Sequence, residues 1–283
     1  MVIDKSFKYI ILSVFFNSLM YALIKLLNDY SVFQIVFFRA TVALIFTIPL
    51  ILINKIKILG NNRKLLLIRG VLGVTSMIFF FQSIKYLDLG VSVSVRYTSP
   101  IFATIFAMFF LKEKVNIFQW GFLLISFIGV VIIKLDDIEI SLMGLSYAII
   151  SAVSLGLAFV VTNKIGKKES PLVILNYFMM IAFLFSAIMS INNWVSPSYL
   201  ELIILLSMGV FGYFGLLYLT KAFQSNMVNN IVPVKYLEVV FSLIIGISFF
   251  NETYTIYSIL GILLILIGVI LNNSIINNDK NKY

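Results

Sequence analysis

The second half of this 283-residue chain repeats the first at a fixed offset of 139 residues. Val95-Arg96-Tyr97 returns as Val234-Lys235-Tyr236, and Glu113 returns as Glu252. An offset of this size leaves room for two copies and little else, so we expect a fold built from two related units. The other residues paired by this offset are Gly70 with Gly209, Gly73 with Gly212, Gly129 with Gly268, and Lys25 with Lys164.

The composition indicates a membrane protein. The chain is 61% hydrophobic and 12% charged, whereas a soluble domain is about 45–50% apolar and about 25% charged. Apolar runs of about 20 residues follow one another, and that is the length of a helix that crosses a bilayer. The sequence has no cysteine and no histidine, which excludes disulfides, thiolate chemistry and imidazole proton relays.

We predict ten membrane helices, five in each copy. Membrane β-strands fit less well, because they need only about 9–11 residues of alternating polarity. The first run follows Lys5 and Lys8 like a signal peptide, but no small-residue cleavage site follows it, so we expect a retained helix. The ten apolar runs are residues 9–27, 32–53, 65–87, 91–111, 118–133, 142–161, 172–189, 199–220, 231–250 and 257–271.

The charged loops predict the orientation. The net charge is +9, and cytoplasmic loops of membrane proteins are enriched in Lys and Arg. With ten helices the basic loops fall on one face, which predicts a multi-pass protein of the cell (inner) membrane with both termini in the cytoplasm. The residues on this basic face are Lys5, Lys8, Lys55, Lys57, Arg63, Lys64, Lys112, Lys114, Lys164, Lys167, Lys168, Lys221, Lys280 and Lys282.

An odd number of helices per copy places the second copy upside down relative to the first. The expected fold is therefore an all-α integral membrane protein with ten transmembrane helices in two inverted five-helix repeats. Such halves are related by a pseudo-twofold axis in the membrane plane, typical of secondary transporters with a site between the halves. We assign residues 1–138 to the first repeat, 139–274 to the second and 275–283 to a polar tail, with 136–139 in the linker.

Short motifs occur in a fixed order along both copies. In the first copy they are Phe38-Arg39, Arg69-Gly70, Ser83-Ile84-Lys85-Tyr86-Leu87, Tyr97 with Ser99-Pro100-Ile101-Phe102, Leu111-Lys112-Glu113-Lys114, and Gly121 with Gly129. In the second they are Ala222-Phe223-Gln224, Tyr236-Leu237-Glu238 and Phe250-Asn251-Glu252. This set resembles the drug/metabolite transporter superfamily, EamA type, over nearly the whole chain. The resemblance implies a transporter of a small metabolite, since members move amino acids, nucleotide-like metabolites, sugars and vitamins. One departure is Val239, where the family usually has a proline; here Pro233 comes earlier.

Equivalent faces of the fourth and ninth predicted helices carry the first candidate residues. Small residues there favour close helix packing, but a charge inside a membrane helix costs about 2.5–3.5 kcal/mol. We predict that Arg96 and Lys235 line opposite halves of one central pathway. Alternatively each reaches the headgroups, or Lys235 pairs with Glu238. The two faces consist of Ser92, Arg96, Ser99, Ala103 and Ala107, and of Ile231, Lys235, Glu238, Ser242 and Gly246.

Other polar residues inside the predicted helices extend the candidate set. Glu238, the most deeply placed carboxylate, is able to titrate or to pair with a substrate amine. Arg39 is interpreted as a brace to backbone carbonyls of neighbouring helices, although it could reach a substrate carboxylate. The neutral candidates for substrate binding are Asn17, Tyr21, Gln82, Tyr97, Tyr147, Tyr213 and Tyr236. Each is also compatible with a structural bond between helices.

Two further motifs are interpreted as structural. Glu113 and Glu252 are predicted to cap or anchor loops near the start of the next helix. The Gly70-x-x-Gly73 and Gly209-x-x-Gly212 pairs are predicted to allow close packing. They are not phosphate loops, because no Lys-Ser/Thr follows them.

These patterns favour a secondary transporter that works by alternating access. A cation in each half suits a carboxylate or phosphate, and Glu238 suits an amine, so an amino acid, related zwitterion or organic anion is the favoured substrate. An exporter of drugs or nucleotide-like metabolites is the alternative. A passive pore is disfavoured because it would favour rings of repeated charge without an inverted duplication. An intramembrane enzyme is disfavoured because the sequence has no catalytic or metal motif. The expected partners are a small-molecule substrate and the lipid bilayer, without nucleic acid, metal or cofactor, in a monomer or homodimer.

Overall fold

The computed structural model describes residues 5–111, 117–136, 141–165, 169–225 and 237–280. In these residues the regular structure is helical and contains no strand. Seven helical segments are long and apolar enough to cross a membrane, and three shorter apolar helices bring the number to the predicted ten. The helices are α1 (Lys5–Leu26), α2 (Val32–Ile53), α3 (Arg63–Tyr86), α4 (Leu89–Arg96), α5 (Ser99–Leu111), α6 (Ile117–Asp136), α7 (Leu142–Ile165), α8 (Pro171–Ser190), α9 (Tyr199–Ser225), α10 (Leu237–Phe250) and α11 (Ile256–Lys280).

The fourth span is broken into two helices, whereas the sequence predicted one run. The short helix α4 ends at Arg96 and α5 begins at Ser99. Pro100 explains the break, because a proline has no N–H for the helix bond and its ring clashes with the carbonyl four residues earlier. At the end of α4 the Val95 carbonyl accepts from both the Thr98 N–H and the Thr98 hydroxyl, at 3.0 and 2.7 Å. The break places Arg96 and Tyr97 between two short helices, with Thr98 and Ser99 buried beside them.

The contact between α6 and α11 demonstrates the inverted repeat. A Cβ added at Gly129 would lie 2.6 Å from the Gly261 carbonyl oxygen, and one at Gly268 would lie 2.6 Å from the Phe122 carbonyl oxygen. The offset of 139 turns Phe122 into Gly261 and Gly129 into Gly268, so it exchanges the two contacts. Rising residue numbers on α6 meet falling numbers on α11, and the two helices are therefore antiparallel.

Other helix contacts are related in the same way by the offset of 139 residues. Helix α3 packs along α7, and its repeat partner α9 packs along α1, the partner of α7. Gly70 on α3 faces the Ile181 side chain, while its partner Gly209 faces Val42, the residue paired with Ile181. The predicted close packing at these glycines is confirmed.

The helices define two faces of the bundle. Helices α1 and α3 end at one face, and α2 and α4 begin there; we name it the Asp88 face after the residue preceding α4. The opposite face, at which α7 ends, is named the Lys164 face. The outer surface between them is apolar, with side chains such as Phe109 and Phe249 more than two thirds exposed, as lipid contact requires.

We expect Gly129→Ala to destabilise the protein, because the new methyl group would press on backbone that cannot move freely. Overpacking of this kind costs about 1–3 kcal/mol of unfolding free energy. Gly121→Ala is the matched control on the same helix, since a Cβ there meets nothing within 4 Å. Thermal unfolding of the two purified variants in detergent measures the difference. Equal melting temperatures would contradict close packing of α6 against α11 at Gly129.

Candidate functional site

Arg96 lies in the last turn of α4, at the break in the fourth span. Its Nη1 donates to the Tyr21 hydroxyl at 3.2 Å, and the guanidinium lies 4.0 Å from the centre of the Phe80 ring. Its Nε is buried and has no hydrogen-bond partner within the described residues. Arg96 therefore faces other helices inside the bundle, and the alternative that it reaches the headgroups is not what this structure shows.

Tyr97 joins the two halves directly. It is the first residue after α4, and its hydroxyl donates to the Glu238 carboxylate in the first turn of α10. Glu238 is only 2% exposed. Two candidates that lie 141 residues apart in the sequence are thus in contact.

Arg39 is a member of this site that the sequence interpretation treated as a brace. Its Nη1 donates to the Met77 sulfur at 2.7 Å, and its guanidinium lies 5.3 Å from the centre of the Phe81 ring. Among the described residues it makes none of the predicted bonds to backbone carbonyls. Gly212 makes room for it, because a Cβ at this position would lie 3.0 Å from the Arg39 Nε.

Tyr21 is the common neighbour of the charged side chains. It interacts electrostatically with Arg39, Arg96 and Glu238. Arg39 and Arg96 are each the eighth residue of a helix that begins at the Asp88 face. At about 1.5 Å per residue, their Cα atoms lie at a similar depth of roughly 10 Å below that face. We call Tyr21, Arg39, Arg96, Tyr97 and Glu238 the Tyr21 cluster; it holds two guanidiniums and one carboxylate and suits an anionic ligand.

Three other candidates lie near this cluster without joining it. Asn17, one turn before Tyr21, donates to the Ser13 hydroxyl at 3.4 Å and packs against Gly215. Ser99 is buried at the start of α5, where its backbone carbonyl faces Gly156. Gln82 is half-buried on α3 and makes no hydrogen bond within the described residues.

Two tyrosine candidates belong to aromatic contacts elsewhere. Tyr147 packs against Phe79 and against Tyr86, which is itself exposed. Tyr213 stacks on Phe46 with ring centres 4.6 Å apart. These contacts favour the structural interpretation of both residues. Lys235, Tyr236 and Glu113 lie outside the described residues.

A second polar cluster lies between the Tyr21 cluster and the Asp88 face. The Glu252 carboxylate accepts hydrogen bonds from Lys25 Nζ, from the Tyr254 hydroxyl and from the Leu89 N–H, the last at 3.0 Å. Lys25 also lies 3.8 Å from Asp88. We name these five residues the Glu252 closure, because they join the end of α1, the start of α4 and the turn after α10.

Local chain geometry places Glu252. Asn251 adopts a left-handed conformation (φ 51°), and the Glu252 N–H bonds to the Gly246 carbonyl at 3.1 Å, so the chain turns back over the last turn of α10. Gly246 leaves room for the carboxylate to fold back over α10, since a Cβ there would clash with the Glu252 Oε2. Glu252 is a helix cap, as predicted. The helix that it caps is α4 of the other half, so the prediction that it caps the next helix along the chain was wrong. The turn also brings Tyr254 to Glu252.

Tyr254 strengthens the closure as a donor. Its hydroxyl also accepts from the Gly90 N–H at 3.2 Å. Burial, reinforced by the bond to Glu252, raises the pKa of the Tyr254 phenol. The phenol therefore keeps its proton over the physiological range and remains a donor to the carboxylate. In the part of the chain that the structure describes, no group of three or more acidic residues is placed to hold a metal ion.

Comparisons with known proteins agree with this architecture. The sequence profile of the EamA-like transporter family matches residues 5–135 and 142–274. Human solute carrier family 35 member G1 is 29% identical over 276 residues, which cover 91% of this chain and 76% of that protein.

Two bacterial relatives are also similar to this chain. The S-adenosylmethionine uptake transporter of Rickettsia prowazekii is 28% identical over 221 residues, covering 78% of this chain and 75% of that protein. The pseudopaline exporter CntI of Pseudomonas aeruginosa is 26% identical over 239 residues, covering 84% of each chain. One solved crystal structure has a TM-score of 0.63 at 16% identity, covers 94% of this chain and 93% of that chain, and shows a shared fold.

We expect Lys25→Met to lower the stability of the protein, because Glu252 would lose its cationic partner. Both side chains are largely buried, at 16% and 3% exposure, so the loss of this charged hydrogen bond is worth about 1–3 kcal/mol. Lys164→Met is the matched control, since the offset pairs Lys164 with Lys25 and its side chain is exposed. Thermal unfolding in detergent distinguishes the two. An equal loss in both variants would contradict a specific role for the closure.

Proposed function

Because this chain belongs to the EamA-like transporter family, we propose that it is a secondary transporter of a small carboxylate-bearing metabolite, an amino acid or a related zwitterion or organic anion. The chain is a multi-pass membrane protein of a transporter family. The finer proposal rests on one observation: the Arg96 guanidinium lies inside the bundle, held by Tyr21 and Phe80, without a carboxylate partner among the described residues.

Such an arginine suits a carboxylate ligand. A guanidinium presents N–H groups in a planar fork that matches the two oxygens of a carboxylate. A buried charge without a partner destabilises a protein, and a bound anion would offset that cost. Glu238, held by Tyr97, supplies a negative group in the same cluster, which suits the amine of a zwitterion.

The named relatives support a metabolite of this kind. The Rickettsia prowazekii protein is an uptake transporter for S-adenosylmethionine, an amino-acid derivative. The Pseudomonas aeruginosa protein is an exporter of pseudopaline. One relative imports and the other exports, so the names support transport of a small metabolite and leave the direction open.

We propose that the Asp88 face is the external face and that both termini lie in the cytoplasm. The Lys164 face carries the basic loops, and basic loops remain in the cytoplasm. The Glu252 closure then lies on the external side, between the outside and the Tyr21 cluster. Alternating access requires that the Lys25–Glu252 pair separates before substrate can exchange with the exterior.

We expect Arg96→Gln to reduce transport by about 10–100-fold, because a hydrogen bond to a charged group is worth about 1.5–3 kcal/mol. Counterflow in proteoliposomes measures this, with S-adenosylmethionine and the individual amino acids as probes. Arg63→Gln, which removes an exposed charge, is the control. Unchanged counterflow in Arg96→Gln would rule out the proposed role, and flux without trans-stimulation in the wild type would indicate a pore.

We expect a cysteine at Ser92 to report the opening of the closure. The chain has no cysteine, so Ser92→Cys introduces a single thiol, one turn below Leu89 and fully buried. In intact cells a membrane-impermeant maleimide should label it slowly. Adding Lys25→Met should raise the labelling rate, because the Lys25–Glu252 contact is lost. Adding Lys164→Met should leave the labelling rate unchanged. Equal rates in Ser92→Cys alone, with Lys25→Met and with Lys164→Met would argue against an external closure.

A further inference from the structure

We infer that Arg39 is a second anion-binding residue of the Tyr21 cluster, so that the site takes a substrate with two anionic groups, such as an acidic amino acid. This inference rests on the proposed function. It extends that proposal from one carboxylate, held by Arg96, to a second carboxylate or phosphate held by Arg39.

The hydrogen-bonding state of the two guanidiniums is the same. In each, Nη1 has one neutral partner, the Met77 sulfur for Arg39 and the Tyr21 hydroxyl for Arg96. In each, Nε is buried without a partner. Neither Nη2 is among the buried unpaired atoms, and neither donates to a described residue. Both residues are partly exposed although helices surround them, which fits a ligand that reaches guanidinium donors without a partner among the described residues.

The position of Arg39 fits a shared ligand. It lies at the same depth as Arg96, and the two guanidiniums act on each other and on Tyr21. Both side chains contact α3, Arg39 at Met77 and Phe81 and Arg96 at Phe80. Because Phe80 and Phe81 are adjacent on α3, the two arginines contact neighbouring positions of that helix, as a ligand held by both would require.

Arg69 illustrates how a structural arginine differs. It is also buried within the bundle, but its Nε donates to the Thr162 hydroxyl at 2.7 Å, so that it ties α3 to α7. Its guanidinium lies over the Phe178 ring, the position paired by the offset with Arg39. Arg39 has no oxygen partner among the described residues. Arg69 Nη1 is also buried without a partner among the described residues, so the difference rests on the bond from Arg69 Nε to an oxygen of another helix, which Arg39 lacks.

The charges of the empty cluster also favour a ligand with two anionic groups. Two guanidiniums at one depth repel each other, and Glu238 neutralises only one unit of their charge. A buried charge that lacks a partner of opposite charge destabilises the folded protein. The arrangement therefore costs the empty protein stability, and a dianionic ligand would remove this cost.

The test measures the binding of small-molecule probes to the purified protein in detergent, by thermal shift and by titration. The probes are matched pairs that differ by one anionic group: glutamate against glutamine, and O-phosphoserine against serine. The wild type should bind the probe with two anionic groups more tightly than its partner, by on the order of tenfold or more. The pair with the larger preference identifies the second group as carboxylate or phosphate.

Variants of Arg39 and Arg69 distinguish a role in ligand binding from a structural role between helices. Arg39→Met should abolish the preference between the members of a pair and leave the weaker probe's affinity unchanged, with an equal or higher melting temperature when empty. Arg39→Lys, which keeps the charge, should retain part of the preference and serves if Arg39→Met does not fold. Arg69→Met should lower the melting temperature of the empty protein and leave the preference intact.

Other results would overturn the inference. If Arg39→Met lowers the affinity for both members of a pair equally, or lowers the empty melting temperature as Arg69→Met does, Arg39 is a brace. If the wild type binds both members equally, the site has one anion-binding group and the proposed function still stands. If no probe and no amino acid stabilises the wild type, the proposed function itself fails.

Discussion

The helix α4 is held at both ends by carboxylates of the other half of the protein. Glu252 accepts the Leu89 N–H at its beginning, and Glu238 accepts the Tyr97 hydroxyl just after its end. All residues of α4 before Arg96 are buried. A helix of eight residues is too short to be stable alone, so its position depends on these two contacts. Because both carboxylates belong to α10 or to the turn after it, movement of α10 changes the cluster and the closure together.

The sequence was sufficient to predict the architecture and part of the cluster. The offset of 139 and the lengths of the apolar runs predicted ten helices in inverted halves, and the α6–α11 contact confirms the inversion. Arg96 and Glu238 were recognisable because a charge in an apolar run is rarely accidental. The motif order identified the family.

The rest depended on side-chain direction, which an apolar membrane helix does not reveal. A soluble helix shows its interior by a polar and an apolar face, but helices such as α2 and α3 have no distinct polar face. Tyr147 and Tyr213 therefore looked equivalent to Tyr21, although they pack into separate aromatic contacts. Arg39 was assigned to the wrong kind of partner for the same reason. The Glu252 contact with α4 was missed because it depends on a turn that folds a side chain back towards a helix far away in the sequence.

Several pairings are mapped onto themselves by the repeat, α2–α8 among them, and at the α6–α11 crossing the glycine contacts themselves are symmetric. When the two halves exchange conformations, pairs such as α1–α9 and α3–α7 take over each other's geometry. A contact that is its own counterpart has nothing to exchange, so it keeps one geometry in both states. In a transporter whose halves exchange conformations, the glycine contacts at this crossing would therefore be shared by both states.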